Sequence, residues 1–484
     1  MQFIRQHSFI LLFSALYIAL TCYLVWLDKA YFSLASIGLI AVYFAVFYTE
    51  WTFLGLAFLT PLSINIEEYT ESFGLFLPTE PLLFGLLILI VMQQLNGQKL
   101  IASHIWKNQI VWAVSFYLCW IFITSLSSEH PLTSFKFLLA KLWFIVPMLF
   151  FGPSVFRKTE NVSRFIWLLC LGMVIAICYT LVMHASYNFG EKEGHWVMWP
   201  FYKDHTIYGA AVAFTAPLIF GLYFAKKHGP LMQVVIIGLA GIILIGLYFS
   251  YTRAAWLSVI AAVAVLVVIK LKIRFVWLAS ATVFAGIVLL FTFDKIKMEL
   301  GRVKSEHTTE EFGEKFSSAV NVTTDASNLE RLNRWSCAID MFKERPFFGF
   351  GPGTYAFEYA RFQQPENLTI ISTNFGDLGN AHSEYLGPLA EMGVFGLLAM
   401  LLIVTAIFYK GITLYNKWPE EDKEMKTLIL TMVLALVTYF VHGILNNYLD
   451  TDKAAVPIWG FCAAFIALEY SLTTAPPKAL DSDK

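Results

Sequence analysis

Long apolar runs recur along almost the whole chain and are separated by short polar connections. A helix that crosses a bilayer needs about 20 predominantly apolar residues, with a range of about 17–25. Fourteen runs fit this description, and the two weakest, 50–66 and 80–94, are short and contain Pro61 and Pro81. We therefore predict an all-α polytopic membrane protein with about 12–14 transmembrane helices. The predicted spans are 8–27, 31–48, 50–66, 80–94, 109–126, 135–152, 163–184, 206–225, 231–250, 252–270, 274–293, 384–408, 426–446 and 454–472.

One long polar interval, 294–383, interrupts this pattern. Apolar residues recur within it at spacings of three and four residues, which predicts an amphipathic helix over 328–344. Ser327 or Asn328 can cap the start of this helix, and Pro346 ends it. The interval also contains a glycine-rich turn that resembles a nucleotide-binding loop only superficially, because it lacks the lysine and the preceding strand.

Composition agrees with a membrane protein. The 484 residues are 58% hydrophobic and 14% charged, and the mean hydropathy is +0.63. Soluble domains are nearer 45–50% apolar and about 25% charged. The net charge of −1 gives no indication of a nucleic-acid partner. Five of the six cysteines lie in apolar runs, and Cys337 alone lies in the polar interval, so we predict neither a disulfide framework nor a metal site. We expect no metal and no cofactor.

Lysine and arginine concentrate in alternate connections between the spans. Cytoplasmic loops carry such an excess, so this pattern predicts both termini inside and 294–383 outside, which in a bacterium is the periplasm. We interpret the first apolar run as a retained helix rather than a signal peptide, because no convincing cleavage site follows it. The predicted regions are N-terminal transmembrane helices at 1–200, further helices at 201–293, the large periplasmic loop at 294–383, C-terminal helices at 384–472 and a cytoplasmic tail at 473–484.

Arg253 is the first candidate functional residue, because it stands between two apolar runs at the predicted outer face. An arginine at a helix end often snorkels to the interface. The positive-inside bias makes an outer arginine less expected, however, and Ala254 and Ala255 would let helices approach closely and turn it towards the bundle. Both interpretations stay open.

Arg331 and Arg334 are three residues apart on the predicted amphipathic helix and therefore share a face. They can form local ion pairs, for example between Glu330 and Arg334. Alternatively, they can form an anion site, because a guanidinium fork matches phosphate oxygens in a bidentate way.

His382 lies where the polar interval returns to the membrane. A lone histidine is usually structural, but an imidazole near neutrality can take a proton while a partner orients its other nitrogen. Glu384 is a possible neighbour and a candidate substrate contact.

A weaker set of candidates lies before the 206–225 span. Lys203, Asp204 and His205 are either interfacial or line the same cavity as the arginines. Weaker still is a polar group near the end of the penultimate span, which consists of His442, Asn446, Asn447 and Asp450.

The order of these motifs resembles the O-antigen ligase / O-antigen polymerase superfamily of bacterial surface-polysaccharide proteins. The resemblance covers roughly 200–450, whereas the first two hundred residues match only as further spans. The motifs that carry it are Thr252-Arg253-Ala254-Ala255-Trp256, Arg331-Leu332-x-x-Trp335, Pro346-Phe347-Phe348-Gly349-Phe350-Gly351-Pro352-Gly353, His382-Ser383-Glu384-Tyr385-Leu386 and Leu389-Ala390-Glu391-Met392-Gly393.

The resemblance implies candidate roles residue by residue. Arg253 takes the place of the arginine in a Ser-Arg-Gly-like motif, although Ala254 stands where glycine is common. Arg331 takes the place of the loop arginine four residues before a tryptophan. His382 matches the histidine of a His-Asn-x-x-Leu-like motif, although Ser383 stands where asparagine is common. Neither departure removes a charged group.

The resemblance also implies a GT-C-like fold and a glycosyltransferase activity. Such proteins use glycan carried on undecaprenyl diphosphate. We expect an inverting, metal-independent transfer to lipid A–core at the periplasmic face of the inner membrane. Arg253 and Arg331, with Arg334 or Lys203, would hold the diphosphate, and His382 would act on the acceptor hydroxyl as a general base or position it.

Three alternatives stay open. A polymerase of the same superfamily would need the same donor site, and a related enzyme would use protein hydroxyls as acceptors. A transporter or flippase belongs to a different class, but no related halves are evident in the sequence, and the charged cluster is predicted at the outer surface rather than at the midplane.

Overall fold

The computed structural model describes residues 8–27, 34–67, 74–272, 326–363 and 379–474. Over these residues the chain is almost entirely helical, and nine helices are long and apolar enough to cross a membrane. This result confirms an all-α polytopic membrane protein. We number the main helices α1 Ser8–Trp26, α2 Leu34–Phe47, α3 Thr49–Leu59, α4 Thr79–Leu95, α5 Gln109–Leu126, α6 Pro131–Val155, α7 Glu160–Ser186, α8 His205–Ala225, α9 Pro230–Tyr248, α10 Arg253–Lys270, α11 Ala326–Glu344, α12 Leu386–Lys417, α13 Lys423–His442 and α14 Asp452–Thr474.

The nine membrane-crossing helices are α5 to α10 and α12 to α14, and each overlaps a span predicted from the sequence. The predicted span 50–66 is wrong as a single crossing helix. α3 has 11 residues, which at 1.5 Å per residue rise only about 16 Å of the roughly 30 Å needed. The chain then turns through Thr60–Leu62 into a two-residue strand, Ile64–Asn65, that pairs antiparallel with Phe76–Leu77. The predicted span 274–293 lies outside the described residues.

Three helices form the centre of the bundle. In the apolar 18-residue segment of each helix, 83% of the residues are buried in α13, 78% in α14 and 72% in α8. The corresponding values are 28% in α9 and 22% in α10. Side chains such as Leu231 and Val234 on α9 are exposed, as expected of a helix that faces lipid. The polar sites described below are built mainly around the central helices.

The glycine-rich turn after α11 docks on a kink in α12. Gly393 in α12 has φ 67°, a left-handed conformation that interrupts the helix. A Cβ atom at Gly349, which has φ 63°, would overlap the backbone of Glu391. Two backbone hydrogen bonds close the contact, from Gly351 N to the Glu391 oxygen at 2.8 Å and from Val394 N to the Pro346 oxygen at 2.8 Å. The glycines therefore permit backbone-to-backbone packing.

The bundle has two chemically different ends. At one end, which we call the α11 end, α5, α7, α9 and α13 finish and α8, α10, α12 and α14 begin. The amphipathic helix α11 packs there on the start of α12. It begins at Ala326, two residues before the predicted start, so Ser327 and Asn328 lie within the helix rather than at its cap. The opposite end, which we call the basic end, has lysines or arginines in its short described connections, such as Arg157 and Lys158 before α7 and Lys226 and Lys227 between α8 and α9.

Candidate functional site

Arg331 and Trp335 are four residues apart on α11 and point towards His382. The Trp335 indole nitrogen donates a long hydrogen bond of 3.5 Å to the His382 carbonyl oxygen. The His382 backbone N–H donates to Asn380 Oδ1 at 3.0 Å. His382 has φ 47°, which is uncommon for a residue with a side chain and is held here by contacts on both sides. The spacing of arginine and tryptophan on α11 thus fixes the histidine backbone next to the arginine.

The environment of His382 keeps its imidazole neutral near pH 7. Burial, and then the positive charges of Arg331 and Arg334, lower the pKa of His382 to about 4. Glu330 and Asp204 act in the opposite direction without overcoming that effect. A neutral imidazole has one nitrogen that accepts a hydrogen bond or a proton, so His382 has a lone pair available at neutral pH, and its lowered pKa makes it a weaker base than an ordinary histidine.

A second histidine lies in the same electrostatic environment. The charges of Arg331 and Asp204 act on His442, the last residue of α13, as they act on His382. The ring of His442 is 5.9 Å from that of Tyr448. Asp204 caps α8 by accepting hydrogen bonds from the backbone N–H of Thr206 and Ile207. The described residues therefore bring four chain segments together around Arg331.

The loop 443–451, which joins α13 to α14 and which we call the site loop, is anchored by buried charges. Oε1 of Glu384 accepts hydrogen bonds from the backbone N–H of Tyr448 at 2.6 Å and of Leu449 at 2.9 Å, and from the Tyr439 hydroxyl. Lys141 of α6 binds the Asp450 carboxylate and the Leu449 carbonyl oxygen. Arg331 Nε donates to the Leu445 carbonyl oxygen at 3.3 Å. The site loop is thus held in one conformation against the arginine.

Glu384 was predicted as a substrate contact, and the structure gives it a different set of partners. Its side chain is buried, and its Oε1 is engaged by three protein donors. Burial raises the pKa of Glu384, and the nearby charge of Asp450 adds to that effect. These contacts indicate a role in holding the site loop.

The two arginines of α11 have different surroundings. Arg334 is buried and forms an ion pair with Glu330, with 2.6 Å between Nε and Oε1. Its guanidinium also lies 4.0 Å from the centre of the Tyr359 ring, in a cation–π contact. The predicted Glu330–Arg334 pair is therefore present, and the charge of Arg334 is opposed locally. Arg331 is only half-buried, and its hydrogen bond to Leu445 is to a neutral backbone carbonyl.

Arg253 begins α10 at the same end of the bundle. The preceding residue, Thr252, donates from its hydroxyl to the His205 carbonyl oxygen at 2.7 Å. Gly209 allows this approach, because a Cβ there would lie 2.6 Å from Thr252 Cβ. Tyr251, just before, has φ 49°, so this helix start, like that of α12, follows a left-handed residue. The packing places Arg253 beside the first turn of α8.

Lys203 and His205 lie at the edge of this region. Lys203 is 66% exposed and faces Glu67, with 3.6 Å between Nζ and Oε2. The ring of His205 stacks on that of His195 at 4.1 Å. The contacts of both side chains are with the α3–α4 and α7–α8 connections.

Sequence reasoning gave little weight to two of the residues that surround Arg331. His442 and Asp204 were ranked as weaker candidates, and Tyr448 was not singled out. The signal that could have pointed to Tyr448 is the polar cluster Asn446-Asn447-Tyr448 at the end of an apolar span, and no comparable pattern marks Asp204. Among the described residues, no group of three histidine, cysteine, aspartate or glutamate side chains could hold a metal ion.

The fold and this cluster together define a class: a multi-pass helical membrane protein with buried cationic and imidazole groups at one end of the bundle. In a comparison with family models, residues 238–401 match the family described as O-antigen ligase. This match supports the O-antigen ligase and polymerase superfamily, which the sequence motifs predicted. The match covers about a third of the chain and includes Arg253, Arg331 and His382. A search of curated proteins gave no match.

The family indicates a glycosyl-transferring enzyme that acts on a polysaccharide or a lipid-linked glycan, and family members reside in the bacterial inner membrane. Its substrate chemistry suits the cluster around Arg331, which combines a guanidinium with a neutral imidazole.

Proposed function

We propose that the protein transfers a glycan from undecaprenyl diphosphate to an acceptor hydroxyl, with lipid A–core as the acceptor. In the reaction, the bond between the anomeric carbon and the diphosphate oxygen breaks while the acceptor oxygen attacks from the opposite face. The anomeric configuration is thereby inverted. The acceptor hydroxyl gives up its proton, and undecaprenyl diphosphate leaves with the electron pair of the broken bond.

Arg331 is the residue proposed to hold the diphosphate, together with Arg253. A guanidinium presents several donors in a plane and stabilises negative charge that develops on phosphate oxygens. The observation that carries this proposal is the placement of Arg331 beside His382, with the Trp335 indole on the His382 carbonyl. Arg334 pairs with Glu330, so it is proposed to act on the diphosphate mainly through the electrostatic field of its charge. Lys203 is proposed as an outer contact of the donor.

His382 is proposed as the base that takes the acceptor proton. Its lowered pKa leaves it neutral at the pH of the cell, so it has a lone pair available when the acceptor arrives. Because diphosphate is a good leaving group, positioning and electrostatic stabilisation suffice in this mechanism without a metal ion. His205 is proposed to contact the acceptor.

The proposed orientation places the α11 end in the periplasm. Positive residues between membrane helices mark the cytoplasmic side. The basic end carries Lys226 and Lys227 between α8 and α9, and Arg157, Lys158 and Arg164 around the start of α7. Undecaprenyl-linked glycan on the periplasmic leaflet would then meet Arg331 directly.

Glycan transfer in a deletion strain tests this proposal. The strain is complemented with wild type or Arg331→Ala, and polysaccharide is measured both on lipid A–core and on the carrier lipid. We expect wild type to restore capped lipid A–core and Arg331→Ala to accumulate carrier-linked polymer. If wild type changes only chain length, the protein is a polymerase. If neither pool responds to wild type, the lipid A–core acceptor is wrong, and protein glycosylation is measured next.

A transporter or flippase is the competing proposal from another class. Purified protein distinguishes the two, because a transferase releases undecaprenyl diphosphate from labelled donor in detergent, whereas a transporter needs a membrane with two sides and releases none. Release that requires the acceptor supports the transferase.

A further inference from the structure

The site loop and the end of α13 contain a concentration of polar atoms that the mechanism above does not use. Both ring nitrogens of His442, the side-chain nitrogen of Asn446 and the side-chain oxygen of Asn447 are buried and have no hydrogen-bond partner among the described residues. His442 is 1% exposed and Asn446 is 2% exposed. An unpaired buried polar group is destabilising, and native proteins contain few of them. Four such atoms within six residues point to a ligand.

The backbone that carries these side chains is also held in place before any ligand arrives. Glu384 fixes the far half of the site loop through Tyr448 and Leu449, and the Glu384 backbone N–H donates to the Gly443 carbonyl oxygen at 2.8 Å. Lys141 secures the loop from α6. Groups fixed in this way bind a ligand without losing much conformational freedom.

The chemistry of the four atoms indicates the kind of ligand. A neutral imidazole offers one donor and one acceptor, an amide nitrogen donates, and an amide oxygen accepts. An anion would need donors only, whereas a sugar hydroxyl both donates and accepts. Arg331, which donates to Leu445 within the same loop, supplies the adjoining anion-binding group.

We propose that His442, Asn446 and Asn447 form a subsite for the sugar directly attached to the diphosphate of the donor. This inference rests on the proposed function, since it takes Arg331 as the diphosphate contact. The sugar hydroxyls exchange hydrogen bonds with the imidazole and the two amides, and the subsite thereby selects the donor glycan rather than the carrier lipid.

Binding of two probes by purified protein tests the subsite. One probe is undecaprenyl diphosphate without sugar, and the other is the same lipid with its glycan. The variants are His442→Phe and Asn446→Leu, which keep a planar ring and a branched side chain while removing the polar atoms, and Arg331→Ala. We expect His442→Phe and Asn446→Leu to weaken binding of the glycan-bearing lipid about tenfold each and to leave binding of the bare lipid unchanged.

Two further results separate this inference from its alternatives. Thermal unfolding of His442→Phe and Asn446→Leu should be unchanged or higher, because replacing an unpaired buried polar group by an apolar one is neutral or stabilising. If both variants weaken the two probes equally, or neither weakens the glycan-bearing probe, the subsite is wrong. If Arg331→Ala leaves binding of the bare lipid unchanged, the proposed diphosphate site fails instead.

Discussion

The two ends of the helix bundle differ in how deeply their ion pairs are buried. At the α11 end, Arg334 and Glu330 form a pair at 5% and 6% side-chain exposure, and Lys141, at 4%, binds Asp450, which is 45% exposed. Other pairs at this end lie on the surface, such as Lys203 with Glu67 at 66% and 40% exposure. At the basic end, ion pairs lie on the surface, such as Lys158 with Glu50 at 2.7 Å, where the lysine is 66% exposed. Both ends have exposed ion pairs, but among the described residues only the α11 end has a pair with both members buried, Arg334 with Glu330.

This difference indicates where charged side chains are held in fixed positions inside the protein. Exposed ion pairs contribute about 0–1 kcal/mol, because water solvates their members equally well apart. Buried charges are expensive unless they are paired and hydrogen-bonded, so they persist where a shape or a reaction needs them. A third network at the α11 end follows the same rule, since buried Lys453 donates to the Thr60 and Ser63 carbonyl oxygens and Asp452 accepts from Ser63.

The largest expected effect comes from removing Arg331. Arg331→Ala should lower the rate of glycan transfer by roughly 10²–10³, by analogy with removal of one group that stabilises transition-state charge. The measurement is release of undecaprenyl diphosphate from labelled donor by purified protein. Lys158→Ala, at the basic end, is the matched control and should retain the wild-type rate. If Lys158→Ala loses as much transfer activity as Arg331→Ala, the two ends do not differ in their importance for the reaction.

The second effect concerns the anchor of the site loop. Lys141→Met should lower the free energy of unfolding by about 1–3 kcal/mol, because the Leu449 carbonyl and Asp450 lose a buried donor. It should also slow glycan transfer, because the site loop, which faces Arg331, loses its contact with α6. Thermal unfolding and transfer rate are measured together, with Lys226→Met as a control for a lysine that is 52% exposed. A Lys141 variant no different from that control would contradict the proposed anchoring.

The pH dependence of transfer gives a smaller and more specific effect. A base must be unprotonated, so the rate should be flat above about pH 5 and fall as pH drops through the His382 pKa of about 4. Arg334 lowers that pKa, so Arg334→Gln should move the acid limb to higher pH. The rate is measured against pH for both proteins. An acid limb near pH 6.5 in wild type would contradict the lowered pKa of His382, and an acid limb that does not move in the variant would show that His382 is not the titrating base.

The smallest expected effect lies wholly at the basic end. Glu160→Ala removes an ion pair of 2.7 Å with Arg164, in which the glutamate is 77% exposed and the arginine 44% exposed. Stability should change by no more than about 0.5 kcal/mol, the usual size of such a pair one helical turn apart. Thermal unfolding with and without added salt provides the measurement. A loss comparable to that of Lys141→Met would mean that the two ends do not differ.

The length of the apolar runs was enough to predict the nine crossing helices among the described residues, because that signal lies within each helix itself. It failed at 50–66, where the apolar run is divided by a turn at Pro61 and by a strand whose partner lies at Phe76–Leu77. Strand pairing depends on a separate segment, which no local pattern reveals. The Glu330–Arg334 pair, by contrast, follows from helical spacing alone.

The site was predictable only in part for the same physical reason. Arg331 and His382 could be selected as candidates by residue type and motif, but their proximity depends on how α11 packs on α12. The arrangement of His442 depends on Glu384 and Lys141, which come from separate helices and hold the site loop. Contacts between residues far apart in the sequence, such as these, produce no periodic pattern that could be recognised in the sequence. Whether Arg253, Arg331 and His382 act in transfer stays a prediction.

The most direct test of the account compares Arg331→Ala and His382→Ala with wild type in a single purified assay of undecaprenyl diphosphate release. The account predicts that both variants bring release down by roughly 10²–10³ while each remains folded, as judged by thermal unfolding. If both variants retain activity near that of wild type, the α11 end does not perform the reaction, and the central claim is wrong.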